Sequence, residues 1–201
     1  MEQVADLCAV GIKREPPEPR DKTAWHVSNL LQSAHLIAKG DTRYHEYEGE
    51  PLGIMSWGRI WEAAVDCYLT HYATQQGGFY TPDVESVKDG IIASLDGIMW
   101  LPDWGWMVCE TKLRFTLNRE IPLTHLQQVR AYCRIINMNP LADTDLVCYV
   151  SGHLSSRPPV AEATMRIVRL TRQSIEECWQ GILNTKNYLI EQGCCPEGAY
   201  V

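Results

Sequence analysis

Two apolar runs separated by a short turn constrain this chain of 201 residues more than any other feature. The first is Ile91–Trp100 and the second Trp106–Phe115, with Leu101-Pro102-Asp103-Trp104-Gly105 between them. β-Branched and aromatic residues bounded by proline and glycine predict a β-hairpin. Both runs nonetheless carry charge in their interiors: Asp96 on the first, Glu110 and Lys112 on the second. Side chains alternate across a strand, so Glu110 and Lys112 share one face, and pairing back across the turn can bring Asp96 near them. Charges on a strand this apolar need a reason, because burying them unpaired is costly. One reading is a Glu110–Lys112 pair on a half-exposed strand. The other is a cluster of two carboxylates and one amine, the set that phosphodiester hydrolysis with a hard divalent metal requires.

The rest of the chain bounds the setting. With 45% hydrophobic residues it should fold, and its length suits one domain, residues 21–201, behind a lead-in over 1–20. That lead-in ends in Lys13-Arg14-Glu15-Pro16-Pro17-Glu18-Pro19-Arg20 and reads as extended. No apolar run approaches the roughly 18 residues needed to span a bilayer. Met1-Glu2-Gln3-Val4-Ala5-Asp6 lacks the pattern of a secretory signal. A cytoplasmic protein with no membrane partner is expected. The eight cysteines include no Cys-x-x-Cys and read as reduced, largely buried thiols, although nothing in the sequence explains the adjacent Cys194-Cys195. No pair of histidines shows zinc-like spacing. The net charge of −7 argues on its face against nucleic acid as a partner. Bound metal would offset part of it. Lys112, Arg114, Arg119, Arg130 and Arg134 also lie within or just after the hairpin, far in sequence from Glu15, Glu18, Glu46, Glu48 and Glu50. A local basic surface and an ordinary mixture of solvated charges both fit this pattern.

Periodicity predicts a helix from an Asp21 or Thr23 cap to about Lys39, and a second from Ser56 to about Thr74. Strands follow over Phe79–Val87, Ile91–Trp100 and Trp106–Phe115, then a helix from Leu123 to about Asn137 behind Pro122. Two further strands, Leu146–Val150 and Met165–Leu170, precede a last helix opened by Thr171 or Ser174 and running through Leu189. The order predicts an α/β fold with a mixed central sheet and helices on its faces.

Two helical spacings add to the hairpin. Gly58-Arg-Ile-Trp-Glu62 sets a carboxylate one turn after a glycine, and Gln128-Val-Arg-Ala-Tyr132 sets an amide and a phenol on one face. Taken singly, Glu62 reads as the polar face of an amphipathic helix and the Gln128–Tyr132 pair as surface beside core. Taken in order, Gly-x-x-x-Glu, Asp, Glu-x-Lys and Gln-x-x-x-Tyr on helix, strand, strand and helix resemble the PD-(D/E)xK nuclease superfamily. The likeness is to its RecB-like and lambda-exonuclease-like branch and covers about Trp25 to Leu189.

The resemblance implies a restriction-endonuclease-like core of about five strands flanked by helices. It implies that Asp96, Glu110 and the backbone carbonyl of Thr111 hold Mg²⁺ or Mn²⁺, with Glu62 joining directly or through water, as in the lambda-exonuclease type. Lys112 would orient or deprotonate the attacking water and stabilise charge. Gln128 and Tyr132 would position the DNA backbone, with Arg114 and Arg130 as further substrate-binding candidates. Leu95 replaces the proline of the family's name. Cys8 and Cys194-Cys195 lack the spaced trio that holds an iron–sulfur cluster in some relatives, so none is expected. Trp100, Trp104 and Trp106 around the hairpin tip either stack on unpaired bases or cover the sheet edge. The expected activity is a metal-dependent DNA exonuclease of the recombination or repair type, leaving 5′-phosphates. It would act on DNA ends alone, as a homo-oligomer, or beside a helicase or annealing protein, and would suit a phage or mobile element. The alternatives are a structure- or sequence-specific endonuclease and a non-cleaving DNA-binding or assembly module of the same fold.

Overall fold

The computed structural model describes residues 23–41, 43–44, 52–114, 120–137, 144–154 and 161–196. In chain order its elements are β1 (Trp25–His26), α1 (Val27–Ile37), α2 (Leu52–Gln75), β2 (Phe79–Lys88), β3 (Ile91–Leu101), β4 (Gly105–Arg114), α3 (Leu123–Ile136), β5 (Leu146–Leu154), β6 (Ala161–Arg169) and α4 (Arg172–Glu191). The fold is α/β, with a mixed six-stranded sheet ordered β1-β3-β4-β5-β6 and β2 paired to β3. The lead-in over 1–20 lies outside the described residues, as does Cys8. None of the described helices is long and apolar enough to cross a membrane.

The hairpin closes as its sequence predicts, with Leu101 opposite Gly105, whose φ of 77° suits glycine. β4 stays paired with β3 only as far as Gly97–Cys109 and then diverges. β2 runs antiparallel along β3 from Lys88–Ile91 to Phe79–Trp100, so the other edge of β3 is left for β1, which pairs parallel with Ile91 and Ile92. The sixth strand is therefore the addition of Trp25–His26, two residues expected to be helical. α1 starts only at Val27 behind an extended His26 that makes no side-chain cap, so Thr23 does not cap it; Asp21 lies outside the described residues. α2 begins at Leu52, four residues before the expected start. α4 opens on Thr171, whose Oγ1 accepts from the Ser174 amide at 3.2 Å.

The sheet buries both faces. α2 lays Val65, Leu69 and Ala73 against Met99, Leu101, Met107, Cys109 and Cys148. α1, α3 and α4 cover the opposite core of Val108, Val147 and Tyr149 with Leu30, Val129, Ile175 and Trp179. β3 changes face along its length. Ile91, Ala93 and Leu95 belong to the core under α1, α3 and α4, but Met99 and Leu101 belong to the core under α2. A strand of uniform period two would keep these residues on one side, so its phase slips at Asp96–Gly97. β2 slips opposite this point, between Tyr80 and Val84, where Asp83 takes a φ of 51°. Asp96 therefore sits where the ladder with β4 ends and the strand turns over.

Two glycines fix the geometry. A Cβ on Gly152 of β5 would lie 2.7 Å from the Trp61 ring, so α2 rests directly on β5 backbone one residue before Glu62. A Cβ on Gly97 would lie 2.5 Å from the Tyr80 ring. Tyr80 donates to Asp66 Oδ1 at 2.7 Å and has its hydroxyl 3.1 Å from the Asp96 carbonyl. Gly97→Ala is expected to displace that ring and cost on the order of 2 kcal/mol, read in a urea or thermal melt. Tyr80→Phe, which keeps the ring and loses only the hydroxyl, should cost about half as much.

Candidate functional site

Glu110 is the anomaly at the centre of the sheet. β4 lies between β3 and β5, and the Glu110 side chain is 0% exposed. Its Oε1 is ion-paired with Lys112 Nζ, two residues along the same strand face. Neither carboxyl oxygen has a hydrogen-bond donor of good geometry among the described residues. Burial pushes this carboxyl up to about 8; the Asp96 charge, and less so that of Glu62, push the same way against Lys112. Lys112 feels the converse field. Burial opposes its charge, but Glu110 and then Asp96 hold the ammonium above the usual lysine range.

Asp96 reaches across from the slipped point of β3. Its Oδ2 accepts from the Thr111 amide at 2.6 Å and from Thr111 Oγ1 at 3.1 Å. These bonds continue the β3–β4 connection by one step where the backbone ladder has stopped. They also place the Asp96 carboxylate against the residue between Glu110 and Lys112.

α3 closes the group from one face. Tyr132 is buried, and burial first, then the Glu110 charge, raises its phenol well above the ordinary value. Gln128 Nε2 donates to Tyr132 Oη at 2.7 Å, the one-turn contact that the Gln-x-x-x-Tyr spacing implies. From the other face α2 brings Glu62, half-buried and near enough for its charge to act on Glu110. Asp96, Glu110, Lys112 and Tyr132 thus lie within electrostatic reach of one another, with Glu62 in reach of Glu110 and Gln128 attached through Tyr132.

The two arginines divide. Arg114, the next residue on the Glu110–Lys112 face, contacts the Tyr149 hydroxyl and lies 3.2 Å from His125 Nδ1. Arg130 instead acts on the Cys178 thiol of α4, at the helix–helix contact where Cys178 Sγ meets the Gln127 carbonyl at 3.2 Å. Among the described residues no hydrogen bond or ion pair joins it to the carboxylates. Tyr149 and His125 were not singled out from the sequence. The one local signal is that His125 precedes Gln128 by one helical turn; Tyr149 follows only from its pairing with Glu110 in the β4–β5 register.

The remaining candidates find ordinary places. Phe79 stacks on Trp100 at 5.9 Å and meets Trp106 edge-on at 5.3 Å, so both tryptophans serve the sheet surface, while Trp104 is half exposed. Cys109, Cys133 and Cys148 are buried free thiols, and Cys194 and Cys195 pack against the core under α1, α3 and α4.

The donors suit a hard divalent cation. They are all oxygen, Asp96 and Glu62 both raise the proton affinity of Glu110, and the buried Glu110 oxygens have Lys112 as their ion-pair partner but no hydrogen bond of good geometry among the described residues. As the side chains stand, no three Asp, Glu, His or Cys groups among the described residues close around one point. Asp96 and Glu110 supply two carboxylates. Mg²⁺ commonly takes one or two and completes its shell with water and substrate phosphate.

No protein-family model matches the chain, and no curated protein matches it in sequence. Among solved structures it is similar to the alkaline exonuclease LHK-Exo from Laribacter hongkongensis, at 14% identity and a TM-score of 0.43, over 85% of this chain and 89% of that one. It is likewise similar to LHK-Exo in complex with dAMP, at 13% identity and a TM-score of 0.47, over 96% of this chain and 94% of that one.

Proposed function

We propose that the Asp96–Glu110–Lys112 centre hydrolyses phosphodiester bonds in DNA with Mg²⁺ or Mn²⁺, as a nuclease of the PD-(D/E)xK type acting on DNA ends. The observation that carries this reading is Glu110: a fully buried carboxylate, short of donors, two residues from a lysine and beside a second carboxylate. A purely structural strand residue would gain from being neutral or fully hydrogen-bonded.

Asp96, Glu110 and the Thr111 carbonyl would hold the ion, with Glu62 adding a ligand directly or through water. When bound, the ion would lower the pKa of water and polarise the phosphate. The chain's own groups do the rest. Lys112 keeps its proton strongly, so it acts as a cation that orients the attacking water and offsets charge developing on the phosphate. Gln128 donates to Tyr132 Oη, which leaves the Tyr132 hydroxyl hydrogen free for a phosphate oxygen. Glu62, close enough from α2 for its charge to act on Glu110, favours the lambda-exonuclease-like branch and hence an exonuclease.

The test compares end-labelled linear DNA, single- and double-stranded, with a covalently closed circle in Mg²⁺, Mn²⁺ or EDTA. Metal-dependent loss of linear DNA with an intact circle is expected. A cut circle would replace the exonuclease by an endonuclease. Tight DNA binding without cleavage of any substrate would replace it by a binding module.

A further inference from the structure

Arg114 is held by groups that do not balance its charge. Its guanidinium meets the Tyr149 hydroxyl, His125 Nδ1 at 3.2 Å and the Glu120 backbone carbonyl at 3.4 Å. His125 Nδ1 and Tyr149 Oη are themselves 2.7 Å apart, so the three side chains form one closed set. Arg114 Nε is buried with no hydrogen-bond partner, and no carboxylate is ion-paired with Arg114, among the described residues. The neighbours do not supply the missing charge. Burial, with Lys112 and Arg114 itself, lowers His125 to about 4, and burial raises the Tyr149 phenol, so both are neutral near pH 7. A half-buried guanidinium whose Nε is left unpaired and whose partners are all neutral is a site whose charge an anion would balance.

Its position says which anion. Arg114 follows Lys112 on one face of β4, about 6.8 Å along the strand, and Tyr149 is the register partner of Glu110 on β5. We propose that Arg114, set by His125 and Tyr149, is a phosphate subsite that grips the backbone phosphate neighbouring the one cleaved at Glu110 and Lys112. This inference rests on the nuclease reading of that centre. It adds a second phosphate and two residues, His125 and Tyr149, which act as positioning residues for the guanidinium. Charge-assisted, two-pronged recognition of phosphate is what arginine supplies and lysine does not.

The test measures binding rather than turnover. Short fluorescein-labelled DNA duplexes, each with one backbone phosphate replaced by a neutral methylphosphonate, are titrated by anisotropy onto full-length Glu110→Gln protein. The same series is repeated with Arg114→Gln added. One methylphosphonate position should weaken binding about tenfold in the parent and less than about twofold once Arg114 is gone. The slope of log affinity against log salt should fall by about one in the Arg114→Gln protein. Arg114→Lys should keep the slope and lose the sensitivity to that single position; the methylphosphonate scan of the parent stands even if Arg114→Gln folds poorly. Normal DNA binding with the same position-sensitivity in both proteins would overturn the subsite and leave the nuclease reading intact. No DNA binding by the parent or by wild type, and no cleavage by wild type, would overturn both.

Discussion

Glu110→Gln is expected to abolish metal-dependent cleavage, by at least about 10³-fold, while raising the melting temperature of the metal-free protein. Both effects follow from one burial. Folding lifts the Glu110 pKa from 4.5 to about 8, so the folded chain holds a proton there that the unfolded chain releases. Stability then falls as pH rises from about 4.5 to about 8 and levels off above that range. At pH 7 taking up that proton on folding costs the metal-free fold on the order of 3 kcal/mol, an upper estimate that glutamine would recover in part. Thermal melts of wild type and Glu110→Gln at pH 5, 7 and 8.5 in EDTA check this, with the difference widening as pH rises. Adding Mg²⁺ should raise the wild-type melting temperature by mass action and leave that of Glu110→Gln nearly unmoved. A destabilised Glu110→Gln protein would mean that the carboxylate is an ordinary structural ion pair.

Lys112→Ala is expected to lower cleavage by about 10³- to 10⁴-fold and, unlike Glu110→Gln, to destabilise the fold. Removing the ammonium leaves the fully buried Glu110 with no counter-charge, a loss of roughly 3–5 kcal/mol when one partner of a buried pair is deleted, whereas Glu110→Gln leaves a part-exposed Lys112 that still faces Asp96. The loss should be small at about pH 3, where Glu110 is protonated in both states, and largest above pH 8. The double variant Lys112→Ala/Glu110→Gln should regain most of the stability and none of the activity. A chemical-denaturation cycle over the four proteins measures the coupling directly. Full activity in Lys112→Ala would remove the lysine from the mechanism.

Much of the frame was legible because it depends on short-range pattern. The hairpin followed from two apolar runs and a Pro/Gly turn. The shared face of Glu110 and Lys112 followed from strand period alone. β1 was not legible, because two residues carry no periodicity and Trp25 also fits a helical stripe. The slip at Asp96–Gly97 was hidden because Ile91–Trp100 reads as one uninterrupted apolar run; the change of face shows only in which core each residue joins. His125 and Tyr149 depend on the β4–β5 register and on where α3 lands, neither of which is encoded locally. Arg130 differs in kind. At about 100° per residue it points some 200° away from Gln128, so its place at the α4 contact was available from helical geometry.

The most direct measurement is a time course of end-labelled linear duplex DNA with wild-type and Glu110→Gln proteins, purified identically, in Mg²⁺ and in EDTA. Degradation by wild type only with metal, and none by an equally or more stable Glu110→Gln protein, is the expected result. Undiminished degradation by Glu110→Gln would contradict the assignment of this buried carboxylate as the heart of the site.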